Sequence, residues 1–132
     1  MWLLFAVAIM IGIGSLNWPG FYRMVARGVP AKATVIELLP NMHNSVRYRY
    51  AVSEQAFEGQ MQSWPPNPPL QQLTLGQSLV IYYDPQHPNE SVLGDPKPML
   101  KNETISIAAA AFVLPTFAIG VWAWRASRKH SR

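Results

Sequence analysis

Apolar and polar positions divide the chain into three parts. Residues 1–22, MWLLFAVAIMIGIGSLNWPGFY, carry no charged side chain. At about 1.5 Å of rise per residue, a helix of that length covers roughly 33 Å, enough for a hydrocarbon core of about 30 Å. Residues 104–124, TISIAAAAFVLPTFAIGVWAW, form a second uncharged run. Between them alternation replaces continuity. Val46, Tyr48, Tyr50 and Val52 alternate with Arg47 and Arg49, the period of a strand with one apolar face. Phe57 and Met61 alternate in the same way against Glu58, Gln60 and Gln62. Leu79 to Tyr83 is continuously apolar, as in a strand covered on both faces.

With turn residues as punctuation, the pattern predicts strands near 31–39, 45–52, 56–64, 79–83 and 91–93. The first three read as a meander. The run Pro65-Pro66-Asn67-Pro68-Pro69 has few ladder donors and reads as a stiff loop. A short helical turn follows before Gly76. The expected fold is a membrane α+β protein: two transmembrane helices, 1–22 and 104–124, flanking a small antiparallel β-sheet or half-open β-barrel domain over 23–103. Ala8 with Gly12, and Ser106 with Ala110, are small residues at the four-residue spacing that lets membrane helices approach.

Charge refines this picture. The net charge of +4 comes from the end of the chain. All seven acidic residues lie in the middle part, where seven basic residues cancel them. Arg125, Arg128, Lys129 and Arg132 fall in a basic tail, 125–132. No basic face for nucleic acid is expected. The tail favours a cytoplasmic C-terminus, so both termini are expected inside the cell (inner) membrane of a multi-pass protein, with the β-domain extracytoplasmic. The expected partners are the lipid bilayer and another membrane or extracytoplasmic protein, with self-association through the small residues as a further contact. The chain has no cysteine, which excludes a disulfide scaffold.

Tyr48-Arg-Tyr50-Ala-Val52, then Phe57-Glu-Gly59, then Gly76-Gln-Ser-Leu79-Val80-Ile81-Tyr82-Tyr83-Asp84-Pro85-Gln86-His87-Pro88 and Ser91-Val92-Leu93 form a distinctive string. In these features the chain resembles the bacterial family filed as domain of unknown function 3592, roughly over 31–93. His87 stands where the family often has Asn. The resemblance implies a small β-domain between two membrane helices and brings no established activity. Tyr48, Tyr50, Gly59, Gly76, Tyr83, Asp84, Pro85 and Pro88 are therefore singled out as structural motif residues. Read from the residues alone, Gly76 permits a turn before the strand, Asp84 with Pro85 suits an Asx-type turn after it, and Pro88 fixes a second bend.

Asp84, His87, Glu90 and Asp95 are the one dense group of ionisable residues in the middle part. Carboxylates with an imidazole suit a divalent metal, but this spacing matches no ligand pattern. Gly-x-Ser-x-Gly and a phosphate-binding glycine loop are absent from the sequence. No catalytic, cofactor or metal residue is assigned, and the expected function is non-enzymatic: an accessory subunit, assembly factor or immunity-type protein. The alternatives are a small homo-oligomeric transport component and an enzyme or metal site in the Asp84–Asp95 loop. Neither span contains an ionisable residue, which weighs against an ion path built by the spans of one chain.

Overall fold

A computed structural model describes residues 2–129. Its contacts separate a β-unit, residues 20–100, from a helical unit made of the N-terminal 19 residues and residues 101 onward. The β-unit contains β1 (Val29–Leu39), β2 (Ser45–Val52), β3 (Gln55–Gln62), a 3₁₀ turn (Leu70–Gln72), β4 (Ser78–Asp84) and β5 (His87–Val92). The strands form one antiparallel sheet in the order β3-β2-β1-β4-β5.

Alternation in β2 does what the pattern predicts. Val46, Tyr48 and Tyr50 are buried while Arg49 is exposed. Those three join Ala33, Val35, Leu79, Ile81 and Leu93 in the main core. Ser53 and Glu54 turn β2 into β3 with φ of 49° and 69°. Positive φ at both central residues is the primed turn that matches strand twist, here made without glycine. Beyond β3 the chain reaches the opposite edge of the sheet. The Trp64 N–H donates to the Leu93 carbonyl at 3.1 Å, and the Leu93 N–H to Met61 Sδ at 3.0 Å. The sheet thus nearly closes into a barrel, as the half-open expectation anticipated.

β4 is covered on both faces. Leu79 and Ile81 enter the main core, while Tyr82 packs against a second cluster around Met24, Val92 and Met99.

The last strand differs from its sequence reading. A strand near 91–93 was expected, but β5 begins at His87. Its register jumps from Tyr83↔Ser91 to Asp84↔His87, so residues 88–90 bulge out of the ladder. A bulged edge strand with a proline carries no alternation to read.

Two helices flank the strands in sequence: α1 (Trp2–Arg27) and α2 (Pro96–Lys129). α2 is long and apolar enough to cross a membrane. It starts eight residues before the expected span. Its first turn contains Pro96 and Pro98, where the missing N–H groups need no partner, and Asp95 Oδ1 accepts the Lys97 N–H at 2.9 Å. Residues 125–129 of the basic tail are its last helical turn; 130–132 lie outside the described residues. Within the helical unit, Trp18 Nε1 donates to Thr104 Oγ1 at 3.0 Å. Of the small residues at four-residue spacing, Gly12 and Ser106 are exposed, while Ile107 and Ala111 of α2 are buried.

Candidate functional site at the β4–β5 hairpin

Asp84 ends β4 and is completely buried. A buried carboxylate must be matched by donors. Its Oδ2 accepts from Arg27 Nη2 at 2.6 Å and faces His87 Nδ1 at 3.2 Å. Its Oδ1 accepts the Gln86 N–H at 3.0 Å, which is the Asx-type turn expected around Pro85. Arg27 also donates from Nη1 to Gln86 Oε1 at 2.6 Å. Arg23, one helical turn earlier on the same face of α1, donates from Nη2 to Glu90 Oε2 at 3.0 Å. Burial alone would raise the Asp84 pKa. The Arg27 guanidinium, the Gln86 N–H and the His87 ring outweigh it and hold the carboxyl down at about 2.

A second set of contacts ties β5 across the barrel interior to β2. Tyr48 Oη lies 3.0 Å from Ser91 Oγ, and Tyr50 Oη donates to the Pro88 carbonyl at 2.7 Å. The bulge in β5 brings that carbonyl within reach. Burial pushes the Tyr48 phenol up to about 12, against the lowering effect of Ser91, and raises Tyr50 as well. Tyr50 stacks on Tyr83 and Phe57 with ring centroids 6.4 and 5.7 Å away. Gly59 lies under the Tyr48 ring, where an added Cβ would stand 2.5 Å from Tyr48 Cζ. That close approach is the reason for a glycine inside a strand. Of the eight motif residues, Tyr48, Tyr50, Gly59, Tyr83, Asp84, Pro85 and Pro88 gather around the hairpin. Gly76 sits at the other end of β4 with φ +82°, its N–H bonded to the Val35 carbonyl at 2.8 Å.

Four residues at the site were not singled out by the sequence. Arg23 and Arg27 lie beyond the span expected over 1–22, and the continuation of α1 to Arg27 puts them on one helix face. Ser91 enters only as part of the family string, and Asn67 only as part of the proline-rich loop. Asn67 is buried in the proline-rich loop. Its side chain donates from Nδ2 to the Val80 carbonyl at 2.7 Å and accepts the Val80 N–H on Oδ1 at 2.8 Å. The amide thus stands in for a neighbouring strand along β4 where β5 does not pair.

Asp84, His87 and Glu90 each offer one ligand atom, all within 4.8 Å of one another. Asp95 does not join them; it caps α2. Both carboxylates of the trio already hold a guanidinium, so a divalent cation would have to displace Arg27 and Arg23 and bear their repulsion. The arrangement is an ion-pair lock between the end of α1 and the hairpin.

The model of a family described as "Domain of unknown function (DUF3592)" matches residues 31–98, just over half of the chain. The match takes in the sheet, the hairpin and the first residues of α2. No curated protein and no solved structure matches the chain.

Proposed function

The chain belongs to the DUF3592 family, and from the fate of the residues that carry the likeness we propose that it is a non-enzymatic, membrane-anchored module that displays its β-unit to a protein partner. One observation carries this reading. The polar motif groups are engaged internally: Asp84 by Arg27, Gln86 and His87, Tyr48 by Ser91, and Tyr50 by the Pro88 carbonyl. A catalytic group needs a side facing substrate, whereas these groups build a shape. The surface left for recognition is apolar at two turns, where Met42 and Leu75 are exposed.

In this reading α1 crosses the bilayer as well as α2, because residues 1–22 match the uncharged run 104–124 within α2 in length and lack of charge. Both termini face the cytoplasm, drawn by the basic tail, and the β-unit lies outside it. The partner is a membrane or extracytoplasmic protein that takes this module as an accessory or assembly factor.

The absence of native cysteine makes the test clean. Gln71→Cys on the β-unit and Ser127→Cys near the end of α2 are both exposed positions. An impermeant maleimide added to intact cells is expected to label the first and spare the second; the opposite pattern overturns the placement. Photo-crosslinkers at Met42 and Leu75 are expected to give one discrete adduct with another protein. Adducts with neither would defeat the partner claim.

A further inference from the structure

β3 and β5 are the two edges of the sheet, and where they meet single contacts replace a ladder. Trp64, just beyond β3, donates its N–H to the Leu93 carbonyl at 3.1 Å. Leu93, just beyond β5, donates its own N–H to Met61 Sδ at 3.0 Å. Leu93 is fully buried, so its N–H has no water to turn to if the sulfur is lost. A thioether is a weak acceptor, and this one holds the closing point of the barrel.

Met61 also joins the two cores. It packs against the main cluster and against the cluster of Met24, Val92 and Met99. The chain has six methionines and no cysteine, so thioethers are its only sulfur. Met24 and Met99 are 3% exposed and shielded. Met42 is 51% exposed, on a turn that belongs to neither core. Met61 is partly exposed on an edge strand. Of these four it alone combines access with a structural contact that depends on sulfur.

We propose that Met61 is a redox-sensitive latch, and that its conversion to the sulfoxide opens the seam between β3 and β5. The step is a two-electron oxygen transfer from a hypohalous acid. With hypochlorous acid the sulfur gains the oxygen atom, the O–Cl bond breaks, and chloride and a proton leave. Sulfur is oxidised and chlorine reduced. The product sets a polar oxygen between two apolar clusters. It also leaves an electron-poor sulfur facing the Leu93 N–H. The new oxygen can take that N–H only if the Met61 side chain backs away, because the sulfur it projects from already lies at 3.0 Å. Both outcomes move β3 away from Leu93.

The test is graded hypochlorous acid on the full chain in maltoside micelles. Peptide mass mapping locates the oxidation, and amide exchange reads the seam. Met42 is expected to react first, Met61 second, and Met24 and Met99 last. Once Met61 is oxidised, the Leu93 and Trp64 amides are expected to exchange about ten-fold faster, the effect of one unsatisfied buried donor. Methionine sulfoxide reductases are expected to restore both amides. Met61→Leu keeps the bulk without the sulfur, so Leu93 is expected to exchange fast from the outset and to ignore the oxidant. Met42→Leu is expected to keep the full response. Oxidation of Met61 with unchanged exchange at Leu93 would overturn the latch. So would a Met61 that reacts no sooner than Met24 and Met99. An undiminished response in Met61→Leu would assign the opening to another residue and overturn it as well.

Discussion

Two arginine–carboxylate pairs in the β-unit have the same length and different surroundings. Arg27 Nη2 lies 2.6 Å from Asp84 Oδ2, and Arg49 Nη2 lies 2.6 Å from Glu58 Oε1. The side chains of the first pair are 34% and 0% exposed; those of the second are 57% and 48% exposed. The second belongs to the outer face of β2 and β3, where Arg47 Nη1 also pairs with Glu37 Oε2 of β1 at 2.7 Å. Water can replace either partner there at little loss. In the hairpin nothing replaces Arg27, because the carboxylate it faces has no solvent. Geometry alone would rank the two pairs equal, so burial decides which one holds the fold.

The largest effect is expected from breaking the buried pair on one side. Arg27→Gln leaves the Asp84 carboxylate without its cation and is expected to destabilise the β-unit by about 3–5 kcal/mol, read from amide exchange of β4. Adding Asp84→Asn to that variant is expected to recover much of the loss, since the uncompensated charge is then gone. A single variant no worse than Arg49→Gln would remove the distinction. Acid reads the same interaction without mutation. Asp84 titrates at about 2 when folded, below its ordinary 3.8. Its contribution is therefore complete above the unfolded value and lost as pH falls from there through about 2. Asp84→Asn is expected to flatten the stability profile across that window. Tyr48 works in the other direction. Its folded pKa near 12 exceeds the ordinary 10.0, so its contribution is lost as pH rises from 10 through about 12.

A smaller effect contrasts neighbours within β3. Gly59 faces the Tyr48 ring while Glu58, one residue earlier, faces solvent. Gly59→Ala is expected to cost about 1–3 kcal/mol, because the new methyl meets a ring fixed by Ser91 and cannot push it aside. Glu58→Ala is expected to change stability by under about 1 kcal/mol. Thermal unfolding followed by circular dichroism separates the two. If Tyr48→Ala restored the Gly59→Ala variant to the level of Tyr48→Ala alone, the ring would be confirmed as the obstacle.

This contrast also explains what could be read from the sequence. Tyr48 and Tyr50 were legible as inward residues because β2 alternates strictly, and Asp84-Pro85 was legible as a turn because its geometry is local. The bulged course of β5 was hidden: His87-Pro-Asn-Glu-Ser91 has no period, and its position depends on Tyr50 and Tyr48 from another strand. The lock itself was hidden for the same reason. Arg27 and Asp84 are separated by 57 residues of chain, and nothing in the spacing of either announces the other. Asn67 replaces a strand through a side-chain amide, which no backbone pattern encodes.

The smallest expected effect lies on the outer face. Arg49→Ala should shift stability by about 0.2–1 kcal/mol, and raising salt toward 1 M should erase even that, since exposed pairs are screened at a Debye length of about 3 Å. The same salt should barely move the loss caused by Arg27→Gln, because mobile ions do not enter the space around Asp84. The salt dependence is thus a sharper reading than either mutation alone. It compares two pairs of one length in one molecule, with solvent access as the difference. A salt-sensitive Arg27 would mean that water reaches the hairpin. The lock would then be a surface contact, and its carboxylates would be available to ligands after all.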